Sequence, residues 1–332
     1  MTKTILLTGG AGYIGSHMAV ELLNNNYNVI IVDNFINSDE SVLKNINRIT
    51  NKSAKFYEID VCDNELETVF KENKIDAVIH FSALKSVGES IKKPELYYKN
   101  NIGGLENVLE MMEKYNCTDI VFSSSATVYG EPEYLPLDEE HSLSATNPYG
   151  ETKIACEEIL RALYQENNSY NIAILRYFNP VGAHHSGLIG ENPQGIPNNL
   201  APFVGKVVIG EIEKVSVFGD NYNTSDGTGI RDYIHISDLI SGHMQALKNI
   251  TDLQCDSINL GTGKGYSVLE VIKAFENASG KKIPYEICPP RDGDIAQCYA
   301  KCDVAKQKLN WQAKYDLDDM VSSHLNWIKN NG

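Results

Sequence analysis

The sequence lacks the features that stabilise small secreted domains or anchor proteins in membranes. Its seven cysteines are odd in number among 332 residues and form no C-x-x-C pair, a pattern typical of reduced thiols in the cytosol. No apolar run approaches the roughly 18 residues of a membrane span, and we expect no signal peptide. A chain of this length buries enough surface to fold without disulfides or a structural metal. The sequence therefore predicts a cytoplasmic protein.

Positive charge is also scarce. The chain has 29 lysines and arginines against 44 aspartates and glutamates, which gives a formal net charge of −15. This charge repels phosphate backbones and anionic lipid heads over most of the surface, so nucleic acids and membranes are disfavoured as partners. A local basic cluster can still bind a small phosphorylated ligand.

Short apolar segments alternate with helical patterns through the first half of the chain. Continuously apolar segments of this length are typical of parallel strands buried on both faces, so they predict a doubly wound α/β fold of the Rossmann type. The predicted strands are Thr4–Thr8, Val29–Asp33, Lys55–Ile59, Ile75–Phe81, Asp119–Ser124 and Ile172–Tyr177. From about residue 181 glycine and proline become frequent, which favours a smaller mixed α/β lobe ending in a helix around Leu317–Ile328.

The first predicted strand runs directly into a glycine-rich turn. Residues 9–15 read GGAGYIG, with glycines at Gly9, Gly10, Gly12 and Gly15, and a helical pattern follows. Glycines at such a turn let backbone N–H groups approach a pyrophosphate at the helix N-terminus, where the partial positive charge favours an anion. The order of strand, glycine turn and helix therefore predicts a dinucleotide site.

Two aspartates at the ends of later strands extend this prediction. Asp33 ends the second strand, where its carboxylate can accept hydrogen bonds from the adenosine ribose hydroxyls. The same charge would repel a 2′-phosphate, so we expect NAD rather than NADP. Asp60, just past the third strand, is a candidate to accept from the adenine amino group. The alternatives are that Asp33 merely caps the turn with Asn34 and that Asp60 has no ligand role.

A hydroxyl cluster and a tyrosine–lysine pair indicate the chemistry. Residues 123–127 read SSSAT and follow a strand at the carboxyl edge of the sheet, where open α/β sheets bind ligands. Asn147 and Pro148 open a helix in which Lys153 follows Tyr149 by four residues, on the same face. Because an ammonium and a positively charged nicotinamide favour the phenolate, we expect the pKa of Tyr149 to fall from about 10 toward neutrality. The pair thus predicts a general base.

The sequence resembles the extended short-chain dehydrogenases/reductases and, among them, the UDP-glucose 4-epimerase family. The resemblance covers nearly the whole chain and is carried by Thr8–His17, His80–Ser90, Ser123–Gly130, Tyr149–Lys153, Arg176–Ala183, Gly195–Leu200 and Asp226–His235. It implies an NAD-dependent epimerase of galactose metabolism that interconverts UDP-galactose and UDP-glucose through a 4-keto intermediate. It also implies an NAD-binding domain over residues 1–180, a UDP-sugar-binding domain over residues 181–332, and a homodimer paired through helices.

The resemblance further implies the residues of each ligand site. Ser125 would bind the reacting sugar hydroxyl beside Tyr149 and Lys153, and all three would contact the cofactor. The glycine turn and a set of further residues would line the NAD site, namely Tyr13, Ile14, Asp33, Asn34, Asp60, Val61, Phe81, Lys85, Asn100 and Phe178. The UDP site would comprise Asn179, Asn199, Leu200, Phe218, Arg231, Arg291 and Asp294. From the residues alone, the first interpretation of each arginine is a surface ion-pair partner.

Cys298 is the position most informative for substrate scope. Aligned through residues 291–294 (RDGD), it falls where some members of the family carry a tyrosine that crowds the 2-substituent of the sugar and others carry cysteine. A thiol leaves room for an N-acetyl group, so we expect UDP-GalNAc and UDP-GlcNAc to be interconverted as well. The alternative is a packing cysteine without effect on scope.

Two further patterns favour structural interpretations. His184 and His185 are expected in an extended loop, where adjacent side chains point apart, and no acidic or cysteine partner stands at ligand spacing, so we expect no metal site. The apolar residues Ile102, Leu105, Val108, Leu109 and Met112 form a helical stripe, for which core packing is the first interpretation.

Three other functions stay open. A sugar-nucleotide 4,6-dehydratase typically needs Asp-Glu directly after the residue that stands here as Thr127, where this chain has Val128 and Tyr129. A UDP-glucuronate decarboxylase needs a group that recognises the substrate carboxylate, and no such group stands out. A regulatory protein that senses NAD without catalysis generally loses the tyrosine or the lysine, whereas this chain has both.

Overall fold

The computed structural model describes residues 2–193, 195, 197, 199–291 and 293–331. Two stretches used in the sequence analysis, 195–200 and 291–294, therefore lie partly outside the described residues.

Within the described residues, seven parallel strands form the central sheet, in the order β10-β6-β5-β4-β1-β2-β3. These strands are β1 (Thr4–Thr8), β2 (Asn28–Asp33), β3 (Lys55–Glu58), β4 (Ala77–His80), β5 (Asp119–Ser125), β6 (Asn171–Tyr177) and β10 (Cys255–Leu260). The six strands predicted from the first half of the chain are all present, with ends shifted by two residues at most. The doubly wound parallel sheet is thus confirmed.

Helices cover both faces of this sheet and bury its apolar side chains. One face packs against α1 (Tyr13–Asn24), α2 (Ser41–Thr50), α9 (Ile236–Lys248), α10 (Ile250–Leu253) and α12 (Asp303–Leu309). The other face packs against α3 (Leu66–Glu72), α6 (Gly103–Lys114) and α7 (Pro148–Glu166). The short helices α4 (Val87–Lys92) and α5 (Pro94–Tyr97) and a π-helical turn (Tyr98–Ile102) precede α6.

The seventh strand corrects the predicted division of the chain at residue 181. Strand β10 pairs with β6 at the edge of the sheet, with Ile258 beside Leu175, and helix α9 packs on the same sheet. The chain therefore returns to the first lobe after residue 181, because the fully buried Ile258 and Leu260 complete that lobe's core. The strand is short and carries polar residues between its apolar ones, so its pattern is only a weak indication of a buried strand.

The second lobe is smaller and mixed, as predicted. Strands β7 (Asn179–Val181), β9 (Ile230–His235), β11 (Gly265–Ser267) and β13 (Gln297–Cys298) form one small sheet, and β8 (Val215–Phe218) pairs with β12 (Tyr285–Cys288). Helices α8 (Leu200–Ile209), α11 (Val268–Ser279) and α13 (Leu317–Asn331) pack together around the buried Val204, Phe275 and Met320. The expected C-terminal helix is thus present.

The remaining expectations about the core and the cysteines are also met. Leu105, Val108 and Met112 of α6 are fully buried against the sheet, which confirms that their stripe packs into the core. All seven cysteines are free thiols. Every helix in the described part of the chain is too short or too polar to cross a membrane.

Candidate active site

The glycine turn between β1 and α1 has a backbone that only glycine accommodates. Gly9 has a φ of +68°, in the left-handed region that side chains rarely adopt. A Cβ added at Gly15 would lie 2.2 Å from the carbonyl oxygen of Gly9. Helix α1 begins after Gly12 without a side-chain cap, so its N-terminus is suited to an anionic ligand. The turn fits the pyrophosphate of a dinucleotide.

Asp33 connects this turn to the loop that follows β2. Its carboxylate is buried and accepts from the backbone N–H of Ala11 at 3.0 Å, from that of Phe35 at 2.9 Å, and from the Ser38 hydroxyl at 2.7 Å. The contacts with Phe35 and Ser38 agree with the alternative in which Asp33 caps the next turn. Asp33 also fixes the glycine turn, and its place at the strand end leaves it beside the predicted ribose.

The other predicted cofactor residues follow the carboxyl ends of neighbouring strands. The amide of Asn34 donates to Asp60 at 2.8 Å, so these two predicted residues lie together. The hydroxyl of Tyr13, next to Ile14 in α1, donates to the Gly182 carbonyl at 2.7 Å and links the two lobes. The remaining members lie after β3, after β4, in the π-helical turn and after β6, namely Val61, Phe81, Lys85, Asn100 and Phe178.

The sequence analysis missed Asn101, which organises the edge of this site. Its side chain is buried, donates to the Leu84 carbonyl and to the Thr152 hydroxyl at 3.0 Å each, and accepts from the Leu84 N–H at 2.8 Å. It therefore fixes the loop after β4 to the helix that carries Tyr149. The side chain reaches both partners from a π-helical turn, which no periodicity in the sequence indicates.

The structure brings together the three residues predicted to carry the chemistry. Asn147 caps α7 by accepting from the Gly150 N–H at 3.0 Å, so the helix begins where predicted. The Lys153 ammonium donates to the Ser123 carbonyl at 2.7 Å and lies 6.0 Å from the centroid of the Tyr149 ring. Ser125 accepts from the Thr127 hydroxyl at 3.0 Å and hydrogen-bonds to Tyr149.

Burial dominates the electrostatics of this group in the chain by itself. Burial raises the pKa of Tyr149 to about 12, although the hydrogen bond with Ser125 acts in the opposite direction. Burial also lowers the pKa of Lys153 to about 8. The prediction of a lowered phenol pKa combined Lys153 with a charged nicotinamide, so it stays a prediction. In the chain by itself, the loss of water around the phenolate is the dominant effect. A further positive charge is needed to favour the phenolate.

The candidates for the nucleotide diphosphate also cluster. Arg291 donates to both carboxylate oxygens of Asp294, at 2.8 and 3.1 Å, and Arg231 lies 3.9 Å from the same carboxylate. The Arg291 guanidinium stacks over the Phe218 ring at 4.9 Å. The alternative interpretation of the arginines as ion-pair partners is therefore correct for the chain by itself, but the partner they share is Asp294, another predicted site residue.

Cys298 lies directly beside one of these arginines. Strand β13 pairs with β9 so that Cys298 is opposite Arg231. The thiol is buried, and burial raises its pKa to about 12, so it is uncharged. Val128, Tyr129 and Phe178 belong to the same apolar cluster. A small neutral side chain thus lies in an apolar cluster beside one of the phosphate candidates.

The remaining substrate candidates lie at element boundaries of the second lobe. Asn179 opens β7, and Asn199 immediately precedes Leu200, the first residue of α8. The amide of Asn199 donates to the buried carboxylate of Glu191 at 2.8 Å, and Lys85 donates to the same oxygen at 3.0 Å. Glu191, which the sequence analysis missed, therefore joins a predicted cofactor residue to a predicted substrate residue.

The two adjacent histidines are arranged differently from the prediction. The rings of His184 and His185 lie 4.0 Å apart, because the chain turns there and the Gly187 N–H donates to the His184 carbonyl. The expectation that the rings point apart in an extended loop is thus wrong. Among the described residues, no group of three or more His, Cys, Asp or Glu side chains could hold a metal ion.

Comparison with known proteins places this geometry in context. A family model described as GDP-mannose 4,6 dehydratase matches residues 6–324. The chain is 53% identical over 329 residues to UDP-glucose 4-epimerase of Bacillus subtilis, covering 98% of this chain and 97% of that protein. It is similar to the crystal structure of UDP-glucose 4-epimerase from Bifidobacterium longum in complex with NAD+ and UDP, with a TM-score of 0.95, 52% identity and 99% of each chain covered. The UDP-Glc/GlcNAc 4-epimerase of Campylobacter jejuni is similar at 34% identity, with a TM-score of 0.86 and 99% of each chain covered.

Proposed function

The chain belongs to the UDP-glucose 4-epimerase family of extended short-chain dehydrogenases/reductases, and we propose that Tyr149, Lys153 and Ser125 carry out its NAD-dependent reaction. The observation that carries this assignment is the hydrogen bond between Lys153 and Ser123. It holds Tyr149 and Lys153 at the end of strand β5, close to Ser125, and only β4 separates this strand from β1, which leads into the glycine turn. The reaction assigned to the chain is the interconversion of UDP-galactose and UDP-glucose.

Tyr149 acts as the base and then as the acid in this proposal. Bound NAD would supply the acceptor, and afterwards the donor, of the hydride at C4 of the sugar, and its oxidised nicotinamide would bring a positive charge to the site. That charge opposes the burial that raises the pKa of Tyr149 to about 12, so the phenol can take the proton of the 4-hydroxyl. Ser125 orients the same hydroxyl, and Lys153 stabilises the phenolate. The proton returns from Tyr149 when the 4-keto sugar is reduced.

The inversion requires the hexose to turn between the two steps while the nucleotide stays bound. We assign the firm binding to Arg231 and Arg291, whose planar guanidinium groups suit the diphosphate, with Asn179 donating to the same group. Asp294 then accepts from the ribose of uridine, and Phe218, Asn199 and Leu200 line the base. Binding energy placed on the diphosphate leaves the sugar free to present either face.

Cys298 sets the sugar scope in this proposal. Its small uncharged side chain lies beside Arg231, where an aromatic residue would occupy the space next to the sugar. We therefore assign activity on UDP-GalNAc and UDP-GlcNAc in addition to the unmodified pair.

The alternative enzymes of the same superfamily are not favoured. A dehydratase needs an acid/base pair after Thr127, but Val128 and Tyr129 at those places are both fully buried. Tyr129 moreover donates its hydroxyl to Asn259 at 2.6 Å, within the protein interior. Among the residues that the structure describes, none makes a contact that supports the decarboxylase or the non-catalytic sensor.

We further propose that the protein is a cytoplasmic homodimer. Ile91, Leu96 and Tyr98 are about half exposed, at 50%, 44% and 37%, on the segment that packs against α7 and precedes α6. Pairing of two chains through α6 and α7 would cover these apolar side chains. The buried stripe of α6 faces its own sheet, so it does not take part in such pairing. The free thiols support a reducing compartment. Sedimentation velocity should give twice the chain mass.

The test is turnover of UDP-galactose and UDP-GalNAc side by side, followed by NMR with the purified protein. We expect both to be epimerised. Activity on UDP-galactose alone would remove the proposed wider scope. Failure with every UDP-hexose, together with binding of NAD, would favour the sensor.

A further inference from the structure

Glu157 is a buried carboxylate on the same face of α7 as the reacting groups. It follows Lys153 by four residues, as Lys153 follows Tyr149, and its side chain is fully buried. Arg176 donates to both of its oxygens, at 2.9 and 2.6 Å, and the Ser124 hydroxyl donates at 2.6 Å. The bidentate ion pair with Arg176 therefore attaches helix α7 to strand β6, and the Ser124 hydrogen bond attaches it to strand β5.

Glu157 also accepts from Arg161 of its own helix at 3.3 Å, and its partners on the sheet form one row. Ser124 on β5 is opposite Arg176 on β6, and Arg176 is opposite Asn259 on β10. Arg176 also donates to the Tyr129 hydroxyl at 3.1 Å, and Tyr129 in turn donates to Asn259 at 2.6 Å. The carboxylate of Glu157 thus joins the catalytic helix to a network that spans three adjacent strands.

On strand β5 this row begins at Ser124, which lies between Ser123 and Ser125, the two serines in contact with the proposed catalytic residues. The carbonyl of Ser123 receives the Lys153 ammonium, Ser125 hydrogen-bonds to Tyr149, and Ser124 donates to Glu157. Helix α7 and strand β5 therefore meet at three successive residues. A helix that moves along or away from the strand must break the Glu157 contacts as well as those of the reacting groups.

We propose that Glu157, held by Arg176 and Ser124, is a positioning residue that sets the catalytic helix against the end of strand β5. It acts through Tyr149 and Lys153 and touches neither ligand, so the inference rests on the roles proposed for those two residues. Displacement of reacting groups by about 1 Å lowers the rate on the order of 100-fold. The hydrogen bonds of Glu157 to Arg176 and Ser124 would prevent such a displacement of helix α7.

Glu157 also supplies negative charge near the Lys153 ammonium. The titratable groups that face Lys153 are Tyr149, Cys156 and Glu157 on its own helix and His80 on β4. Burial keeps His80 uncharged, with a pKa of about 3, and raises the pKa of the Cys156 thiol to about 11. Burial lowers the pKa of Lys153, and the neighbouring Cys156 and Glu157 act in the opposite direction through charge.

The experiment compares Glu157→Gln with Ser124→Ala and with a control, Asp238→Asn, in the NAD-containing enzyme. Asp238 is a buried carboxylate that accepts from the N–H groups of Lys314 and Tyr315 at 2.9 Å each, in a different part of the fold. The readouts are kcat and KM for UDP-galactose, bound NAD per chain, and the pH dependence of kcat. Glu157→Gln leaves the buried Arg176 without its ion pair, whereas Ser124→Ala removes one hydrogen-bond donor and keeps the ion pair. Ser124→Ala therefore tests the inference if Glu157→Gln fails to fold.

We expect Glu157→Gln to lower kcat about 100-fold with KM and NAD content unchanged. Loss of the negative charge lowers the pKa of Lys153 further, so the alkaline fall of kcat should move to lower pH. Ser124→Ala should lower kcat in the same way but less, and Asp238→Asn should leave both kcat and the pH profile as they are. A folded Glu157→Gln or Ser124→Ala enzyme with wild-type kcat and pH profile would overturn the inference. Absence of epimerisation by the wild-type enzyme would instead overturn the proposed function.

Discussion

The Lys153 ammonium donates to the backbone carbonyl of Ser123 over 2.7 Å, which ties the catalytic helix to the end of the neighbouring strand. Lys153 is buried, and its ammonium nitrogen lies 4.8 Å from the centroid of the Phe122 ring, so the charge lies in a place with little water. The hydrogen bond to Ser123 uses one of the three ammonium hydrogens of Lys153. The other two can be donated to the Tyr149 phenolate and to the cofactor, the partners proposed for Lys153.

The first prediction concerns pH. Burial lowers the pKa of Lys153 to about 8, so the ammonium is charged below this pH and neutral above it. Because the charged form stabilises the phenolate, kcat should fall as the pH rises through about 8. Lys153→Met should have a lower kcat at every pH and should lack this alkaline fall. The measurement is kcat for UDP-galactose between pH 6 and 10, and the same fall in Lys153→Met would assign it to another group.

The second prediction concerns sugar scope. Cys298→Tyr places an aromatic ring beside Arg231, in the space assigned to the 2-substituent of the sugar. It should abolish turnover of UDP-GalNAc and spare UDP-galactose, as measured by NMR on each substrate. Cys298→Ala, which removes the thiol and adds no bulk, should retain both activities. Equal loss or equal retention in Cys298→Tyr would show that this residue only packs.

The third prediction concerns the diphosphate. A hydrogen bond to a charged group contributes about 1.5–3 kcal/mol, so Arg231→Ala should raise KM for UDP-galactose about 10- to 100-fold. Arg291→Ala should raise it less, because the Arg291 side chain is 52% exposed against 22% for Arg231. The exposed Lys264→Ala in the same lobe is the control. A larger effect on kcat than on KM would place the arginines at the reacting sugar instead.

The fourth prediction concerns the cofactor turn. A Cβ at Gly15 would lie 2.2 Å from the Gly9 carbonyl oxygen, so Gly15→Ala must distort the turn and should lose most of the bound NAD. Gly88→Ala is the matched control, because a Cβ there meets nothing within 4 Å. NAD released from the denatured protein and measured by absorbance checks both variants. Full NAD content in Gly15→Ala would show that the turn does not contact the cofactor.

The sequence predicted those features of the fold that depend on local patterns. The glycine turn, the first six strands and the start of α7 at Asn147 and Pro148 each follow from residue types at short spacing. The strand Cys255–Leu260 did not, because its place is decided by pairing with β6, more than 75 residues earlier in the chain. The turn at His184 likewise depends on a backbone bond that side-chain patterns do not indicate.

The site was predicted where a residue's role follows from its own chemistry, and missed where the role depends on its partners. Tyr149 and Lys153 share a helical face that spacing alone reveals. Glu157 continues the same spacing, but its importance lies in Arg176 and Ser124, which only the folded sheet brings to it. The effect of burial on the pKa of Tyr149 was missed for the same reason, since the degree of burial cannot be read from neighbouring residues.

The most direct test of the account is the rate of epimerisation by Tyr149→Phe, measured with UDP-galactose while bound NAD and UDP affinity are followed in the same preparation. The substitution removes a single hydroxyl, so we expect NAD and UDP to bind as before. A positioned acid/base group contributes about 10²- to 10⁴-fold, and kcat should fall by a factor in this range. A Tyr149→Phe enzyme that epimerises at the wild-type rate would contradict the account.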